Sequence, residues 1–323
     1  MKPSMILWLP VQINFLMRKK IRIGTRESQL AVWQARTVQQ LLSAAGFESE
    51  LLYIKSEGDI DLVTPLYEMG VQGVFTRSLD IALLNDKIDI AVHSMKDVPV
   101  LPAKGIVQAA VLKRASYKDL LVLKHDDSFL QNTQSVATIA TSSIRRKAQW
   151  LHRYPHHLIE NLRGNVNTRL QKVKDSNWQG AIFAAAGLER IGLRPENCIE
   201  LDWMLPAPAQ GAIMVVCREQ DDFCASACAH FNDNNTALCV KIERDFLKTL
   251  LGGCSTPISA LAEIDNDTVL FKGNIVAPDG KEKIETSASV PIKDAHNTGV
   301  HSALDILEKG GKAIADKIRH AAK

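Results

Sequence analysis

The stretch Ile21-Arg22-Ile23-Gly24-Thr25-Arg26-Glu27-Ser28-Gln29-Leu30-Ala31-Val32-Trp33 decides how this chain folds. Its first five residues read as a β-strand. Residues 28–42 read as a helix, with Leu30, Val32, Trp33, Val38, Leu41 and Leu42 as its apolar positions and Ser28 as a cap at its mouth. The same succession of strand and helix recurs outward from there. Residues 50–55, 88–93, 138–141, 157–161, 181–184 and 211–217 read as strands. Between them, 78–85, 143–153 and 166–174 read as helices, and Gly187 opens a short one. Apolar strands alternating with helices predict parallel sheets covered on both faces, and two such sheets fit before residue 230. The remainder differs: a long helix over 235–251, antiparallel strands over 257–264, 269–276 and 285–290, and a closing helix over 301–322. The expected fold class is α/β, with two doubly wound domains and a smaller C-terminal α+β domain.

The 323 residues suit two or three domains at roughly 100–200 residues each. A 46% apolar and 23% charged composition excludes a disordered, collagen-like or disulfide-framework chain. A net charge of +3 gives no support for a chain coated in nucleic acid. The charge is uneven, however. Residues 141–194 hold ten Lys/Arg against three Asp/Glu, a local +7, so the rest of the chain is near −4. A basic segment in a near-neutral protein fits a confined anionic ligand.

The six cysteines (Cys198, Cys217, Cys224, Cys228, Cys239 and Cys254) are too few for a disulfide scaffold of this length, so a reduced, cytoplasmic setting is expected. No apolar run reaches the roughly 18 residues needed to cross a bilayer. The run 5–16 is broken by Pro10 and is followed, not preceded, by Arg18-Lys19-Lys20, an order opposite to that of a secretory signal. A disordered extension, or a beginning at Met17, is expected there, with residues 1–16 outside the fold.

Ligands of open parallel sheets bind beyond the carboxyl ends of the strands. Four polar clusters fall there: Thr25-Arg26-Glu27-Ser28, His93-Ser94-Met95-Lys96-Asp97, Thr141-Ser142-Ser143-Ile144-Arg145-Arg146 and Arg163-Gly164-Asn165. A helix N-terminus offers free N–H groups to an anion, and arginine adds paired donors for a carboxylate or phosphate. Any one of these arginines could be a solvated surface charge, and Ser142 and Ser143 could be plain caps. Several arginines at several strand ends together suggest a ligand with more than one acidic group. Asp97 could act as an acid/base or stabilise a cation, or it could be a turn aspartate bonded to its own backbone. Cys254, after Gly252-Gly253, sits either on an accessible loop or as a small buried hydrophobe. Cys224, Cys228 and His230 complete no familiar zinc pattern, and no metal is expected. Phosphate-loop and dinucleotide fingerprints are absent.

Seven segments in order carry a resemblance: IGTRESQLA from Ile23, DIAVHSMKDVP from Asp89, TSSIRR from Thr141, LRGNVNTRL from Leu162, AGLERIGL from Ala186, AQGA from Ala209 and GGCSTPI from Gly252. Together they resemble the hydroxymethylbilane synthases, also called porphobilinogen deaminases. The resemblance implies condensation of four porphobilinogen units into a linear tetrapyrrole with release of four ammonia molecules. It implies a dipyrromethane cofactor held by a thioether to Cys254. Asp97 is implied as the catalytic acid, which protonates the departing amine and steadies the azafulvene-like cation. Lys96, Ser94, Thr141, Ser143, Arg145, Arg146, Arg169 and Arg190 are implied as cofactor contacts, and Arg26, Ser28, Arg163 and Phe75 as substrate contacts. The implied fold is two periplasmic-binding-protein-like domains facing each other across a cleft, plus the domain that carries the cofactor loop. Its division here would be 17–112 with a return segment 212–229, then 113–211, then 230–323. A monomer is expected, with no nucleic-acid or membrane partner.

The chain departs from the family pattern in places. Glu68 and Gln72 stand where lysines are usual, Arg77-Ser78 where Lys-Glu is usual, and Asn167 where glycine is usual. An active synthase is the first reading. A degenerate paralogue that loads cofactor poorly comes second, and a non-catalytic two-lobed carboxylate binder third. Asp97 and Cys254 discriminate, because a binding module needs neither.

Overall fold

A computed structural model of the chain describes residues 20–55, 76–132, 134–250 and 256–321. Phe75, Glu68, Gln72 and Cys254 lie outside these residues, as do residues 1–16.

The first sheet holds β1 (Ile21–Thr25), β2 (Ser49–Tyr53), β3 (Ile90–Ser94), β4 (Ile106–Val111) and the late-returning β10 (Ile213–Arg218), in the order β2-β1-β3-β10-β4. The second holds β5 (Asp119–Leu123), β6 (Thr138–Ala140), β7 (Leu158–Glu160), β8 (Gly180–Ala184) and β9 (Cys198–Glu200), in the order β7-β6-β8-β5-β9. Both are covered on both faces, as apolar strands require. Helices α1 (Gln29–Ala44) and α6 (Asp222–Ala229) seal one face of the first sheet, where Ile23, Ile90, Val215 and Cys228 meet. Helix α2 (Arg77–Leu84) and the start of α7 (Asn234–Leu250) seal the other, around Leu83, Met95 and Val240. On the second sheet, α3 (Ile144–Arg153) buries Trp150 on one face, while α4 (Val166–Asp175) and α5 (Ala185–Glu189) bury Val173 and Leu188 on the opposite one.

The expectation of parallel sheets is corrected to mixed sheets. β10 runs antiparallel to β3 and β4, and β5 runs antiparallel to β8 and β9. The cause is a double crossing: the chain leaves the first sheet through 112–118 and returns through 205–212. The two crossings are laced by Leu112 N to Ile213 O (3.0 Å) and Ala115 N to Gly211 O (3.1 Å).

The third unit is the antiparallel sheet β11 (Ile258–Asp265), β12 (Thr268–Val276) and β13 (Lys283–Pro291), packed on α7, α8 (Thr298–Ile306) and α9 (Lys312–Ala321) around Phe246, Phe271 and Ile306. The single closing helix of the sequence reading is two helices. Gly310 takes φ +100 between them, a left-handed conformation that breaks the helical ladder and that glycine adopts without cost. Two expected folds hold: two doubly wound α/β domains and a smaller α+β domain.

Glu243 of α7 ties both crossings to the third unit. Its carboxylate accepts from Arg114 Nη1 (2.5 Å) and Nη2 (3.1 Å) on one crossing, Ala209 N (2.6 Å) on the other, and Ala262 N (2.8 Å) of β11. The side chain is fully buried, and these donors satisfy both oxygens.

Candidate functional site

The carboxyl ends of the parallel strands of both sheets open onto one cavity of about 650 Å³. Each strand end delivers a different side chain. β1 stops at Thr25 and presents Arg26. β3 stops at Ser94, and one tight turn, Met95–Asp97, swings Lys96 and Asp97 into the wall. β6 gives way to α3, with Ser143 accepting from Arg146 N at the cap, and brings Arg145 and Arg146. β7 leads to Arg163, and α4, capped by Asn165 Oδ1 on Thr168 N, brings Arg169.

Among the described residues the lining holds seven cationic side chains and two acidic ones, Glu27 and Asp97. The cations feel one another. Burial, and then the charges of Arg146 and Arg163, push Arg169 down to about 10. Burial, and then Arg146, push Lys96 down to about 8. A wall of mutually repelling cations is stabilised by whatever negative charge enters it.

One carboxylate already answers part of that charge. Asp119, the first residue of β5, is fully buried. Its oxygens pair with Arg145 Nη2 (2.7 Å) and with Arg146 Nη2 (2.7 Å) and Nε (3.2 Å). Burial alone would raise this acid, but Arg145, Arg146 and Lys96 outweigh it and hold it down to about 2. Arg145 and Arg146 also donate to the carbonyls of Leu205 and Ile182, both at 2.8 Å. The two guanidiniums are thus locked in place before any ligand arrives.

Of the residues expected at the site, Arg26, Ser28, Ser94, Lys96, Asp97, Ser143, Arg145, Arg146, Arg163 and Arg169 all line the cavity. Ser28 accepts from Ala31 N at 3.4 Å as the cap of α1, and Ser94 Oγ accepts from Gln34 Nε2 at 2.8 Å. Arg169 Nε donates to Gly164 O at 2.7 Å. Thr141 and Arg190 stand back from the lining. Thr141 is buried, with Oγ1 accepting from Ser143 N at 3.2 Å. Arg190 donates to Gly211 O at 2.7 Å and lies 5.7 Å over the Trp33 ring, so it braces the lobes against each other. Asn167 Nδ2 donates across the cleft to Gln29 Oε1 at 3.0 Å. Leu247 and Thr256, on either side of the stretch that holds Cys254, are both in the wall.

The sequence reading missed Asp119 and Gln210. Asp119 heads the apolar run Leu120-Leu121-Val122-Leu123, which the sequence reading did not take as a strand. Cys224 and Cys228 are buried against the first sheet, and burial pushes the Cys228 thiol up to about 12.

Residues 21–226 match the family described as porphobilinogen deaminase, dipyromethane cofactor binding domain, and residues 237–308 match porphobilinogen deaminase, C-terminal domain. A porphobilinogen deaminase of Syntrophotalea carbinolica is 40% identical over 298 residues, covering 91% of this chain and 94% of that protein. Among solved structures, a periplasmic substrate-binding protein of an ABC transporter from Coxiella burnetii is similar over 67% of this chain and 94% of its own, with 14% identity and a TM-score of 0.43. A methionine-binding protein is similar over 66% of this chain and 88% of its own, also with 14% identity and a TM-score of 0.43.

Proposed function

Since the chain belongs to the porphobilinogen deaminase family, we propose that the arginine-walled cleft is where it carries out the family's reaction. The activity is that of a hydroxymethylbilane synthase, a transferase that joins four porphobilinogen units and releases four ammonia molecules. The observation that carries the placement is the excess of seven cations over two acids around one 650 Å³ cavity. Each pyrrole unit bears two carboxylates, so a growing chain brings the charge this wall lacks.

A dipyrromethane cofactor fits the same donor set. Arg145, Arg146, Arg169, Lys96 and the hydroxyls of Ser94 and Ser143 would hold its acetate and propionate groups. Arg26, Ser28 and Arg163, on the remaining wall, would take the incoming porphobilinogen, together with Phe75. Thr141 and Arg190 would act from behind, by fixing Ser143 and the lobe contact. Cys254 is two peptide links from Thr256 in the wall, a reach of at most about 7 Å, which suits a thioether anchor. When bound, the cofactor supplies the pyrrole end to which units are added.

Asp97 is placed for proton work. It is a lining carboxylate on a tight turn beside Lys96. It would give a proton to the departing amine of porphobilinogen, then as a carboxylate steady the cation left behind and take the proton lost from the attacked pyrrole carbon. Domain boundaries at 17–112 with 212–229, 113–211 and 230–323, a monomeric state and a cytoplasmic setting complete the proposal. Among the described residues no helix is long and apolar enough to cross a membrane.

Ammonia release from porphobilinogen tests the role of Asp97. Asp97→Ala is expected to fold, bind substrate and lose turnover by at least 10²-fold. Normal ammonia release from that variant would return Asp97 to the role of a turn residue.

A further inference from the structure

Gln210 is absent from the residues assigned above, yet three observations meet at it. The first is its backbone. It stands between Ala209 at φ +62 and Gly211 at φ +88. The left-handed region is unfavourable for alanine, and strain of this kind persists only where the surroundings fix it. Here Glu243 Oε2 accepts from Ala209 N at 2.6 Å, and Arg114 Nε donates to Gln210 O at 2.8 Å. The second observation is burial: the side chain is 1% exposed and still lines the cavity.

The third is its set of partners. Gln210 Nε2 donates to Tyr117 O (2.7 Å) and to Asp119 Oδ1 (2.9 Å). Its Oε1 accepts from Lys96 Nζ at 3.3 Å. One neutral amide, with two donors and an acceptor, therefore joins a cation of the first domain to the carboxylate that grips Arg145 and Arg146 in the second. It does so on the return crossing, where the two domains are hinged.

We propose that Gln210 is a positioning residue for the condensation, holding Lys96 protonated and in register with the Arg145–Arg146 pair across the hinge. This rests on the reading of the cleft as the reaction site. The charged groups that face Lys96 are Arg146 and Arg145 from α3, Asp119 from β5 and Asp97 from its own turn. The arginines push a proton off Lys96, while the carboxylates and the Gln210 acceptor hold it on. Since burial and Arg146 already leave this ammonium at about 8, losing an acceptor moves it into the working range.

Two variants of the purified full-length protein test this. Gln210→Met keeps the length and removes the acceptor and donors, and Gln210→Glu places a carboxylate against Lys96. Acetylation of Lys96 by acetic anhydride, followed by peptide mass spectrometry across pH, reads its titration directly. Thermal melting and the pH profile of kcat/KM for porphobilinogen are read beside it. Gln210→Met is expected to move the Lys96 midpoint, and the alkaline limb of kcat/KM, down by about one pH unit. Gln210→Glu is expected to move both up by about one unit. A residue that only fills the hinge would change the melting temperature and leave the midpoint in place. A folded Gln210→Met protein with the wild-type midpoint would overturn the proposal, and it decides alone if Gln210→Glu does not fold. A midpoint that moves with no change in kcat/KM at any pH would uphold the grip on Lys96 and instead sink the cleft as the reaction site.

Discussion

At the residue scale the site is built around Asp119, a carboxylate that no ligand needs to touch. It turns two adjacent arginines, which would otherwise repel each other, into one anchored pair. Asp119→Asn leaves both guanidiniums buried without the carboxylate charge they share. Unfolding free energy at pH 7 is expected to fall by about 2–3 kcal/mol, read by urea titration. The pH dependence follows from its depressed value. A carboxyl held at about 2 gives its full stabilisation above the ordinary value of 3.8 and loses it as pH falls through about 2. The gap between wild type and Asp119→Asn should therefore close over that window. Arg145→Leu is expected to cut kcat/KM by about 10²-fold or more. Arg153→Leu should stay within about threefold, because Arg153 lies 4.9 Å over the Trp203 ring, outside the lining. The arginines at the strand ends were legible in the sequence because a strand end followed by a helix is a local pattern. Asp119 and Gln210 were not, because their partners lie 26 to 114 residues away.

At the scale of elements, the strand ends and the crossings decide where the charges stand. The helices over 28–42, 143–153 and 166–174 were legible to within two residues, since caps and apolar spacing mark them locally. Strands β4, β5 and β9 were not read at all, and the direction of β10 was not legible, because it is set by the crossings 112–118 and 205–212, and no local spacing encodes a crossing. The return crossing turns on Gly211. A Cβ there would lie 2.6 Å from Ala115 O and 2.8 Å from Ser116 O, at a φ of +88 that side chains resist. Gly211→Ala should destabilise the protein by about 2–4 kcal/mol, seen as a lower midpoint in urea. An unchanged midpoint would mean that the crossings shift apart freely.

At the scale of the whole molecule, three domains share one cavity wall, and one buried carboxylate, Glu243, ties the two crossings to the third domain. The third domain contributes Leu247, Thr256 and Ile258 to the wall of the cleft between the other two. The proposed function has a pyrrole chain grow in the arginine-lined cleft while tethered to Cys254. The most direct test is the intact mass of the purified protein by electrospray, before and after incubation with porphobilinogen, with Cys254→Ala alongside. A covalent excess of two linked pyrroles that grows by single pyrrole steps is expected, with no excess on Cys254→Ala. A wild-type mass equal to the bare chain and unchanged by substrate, or an adduct that persists on Cys254→Ala, would contradict it.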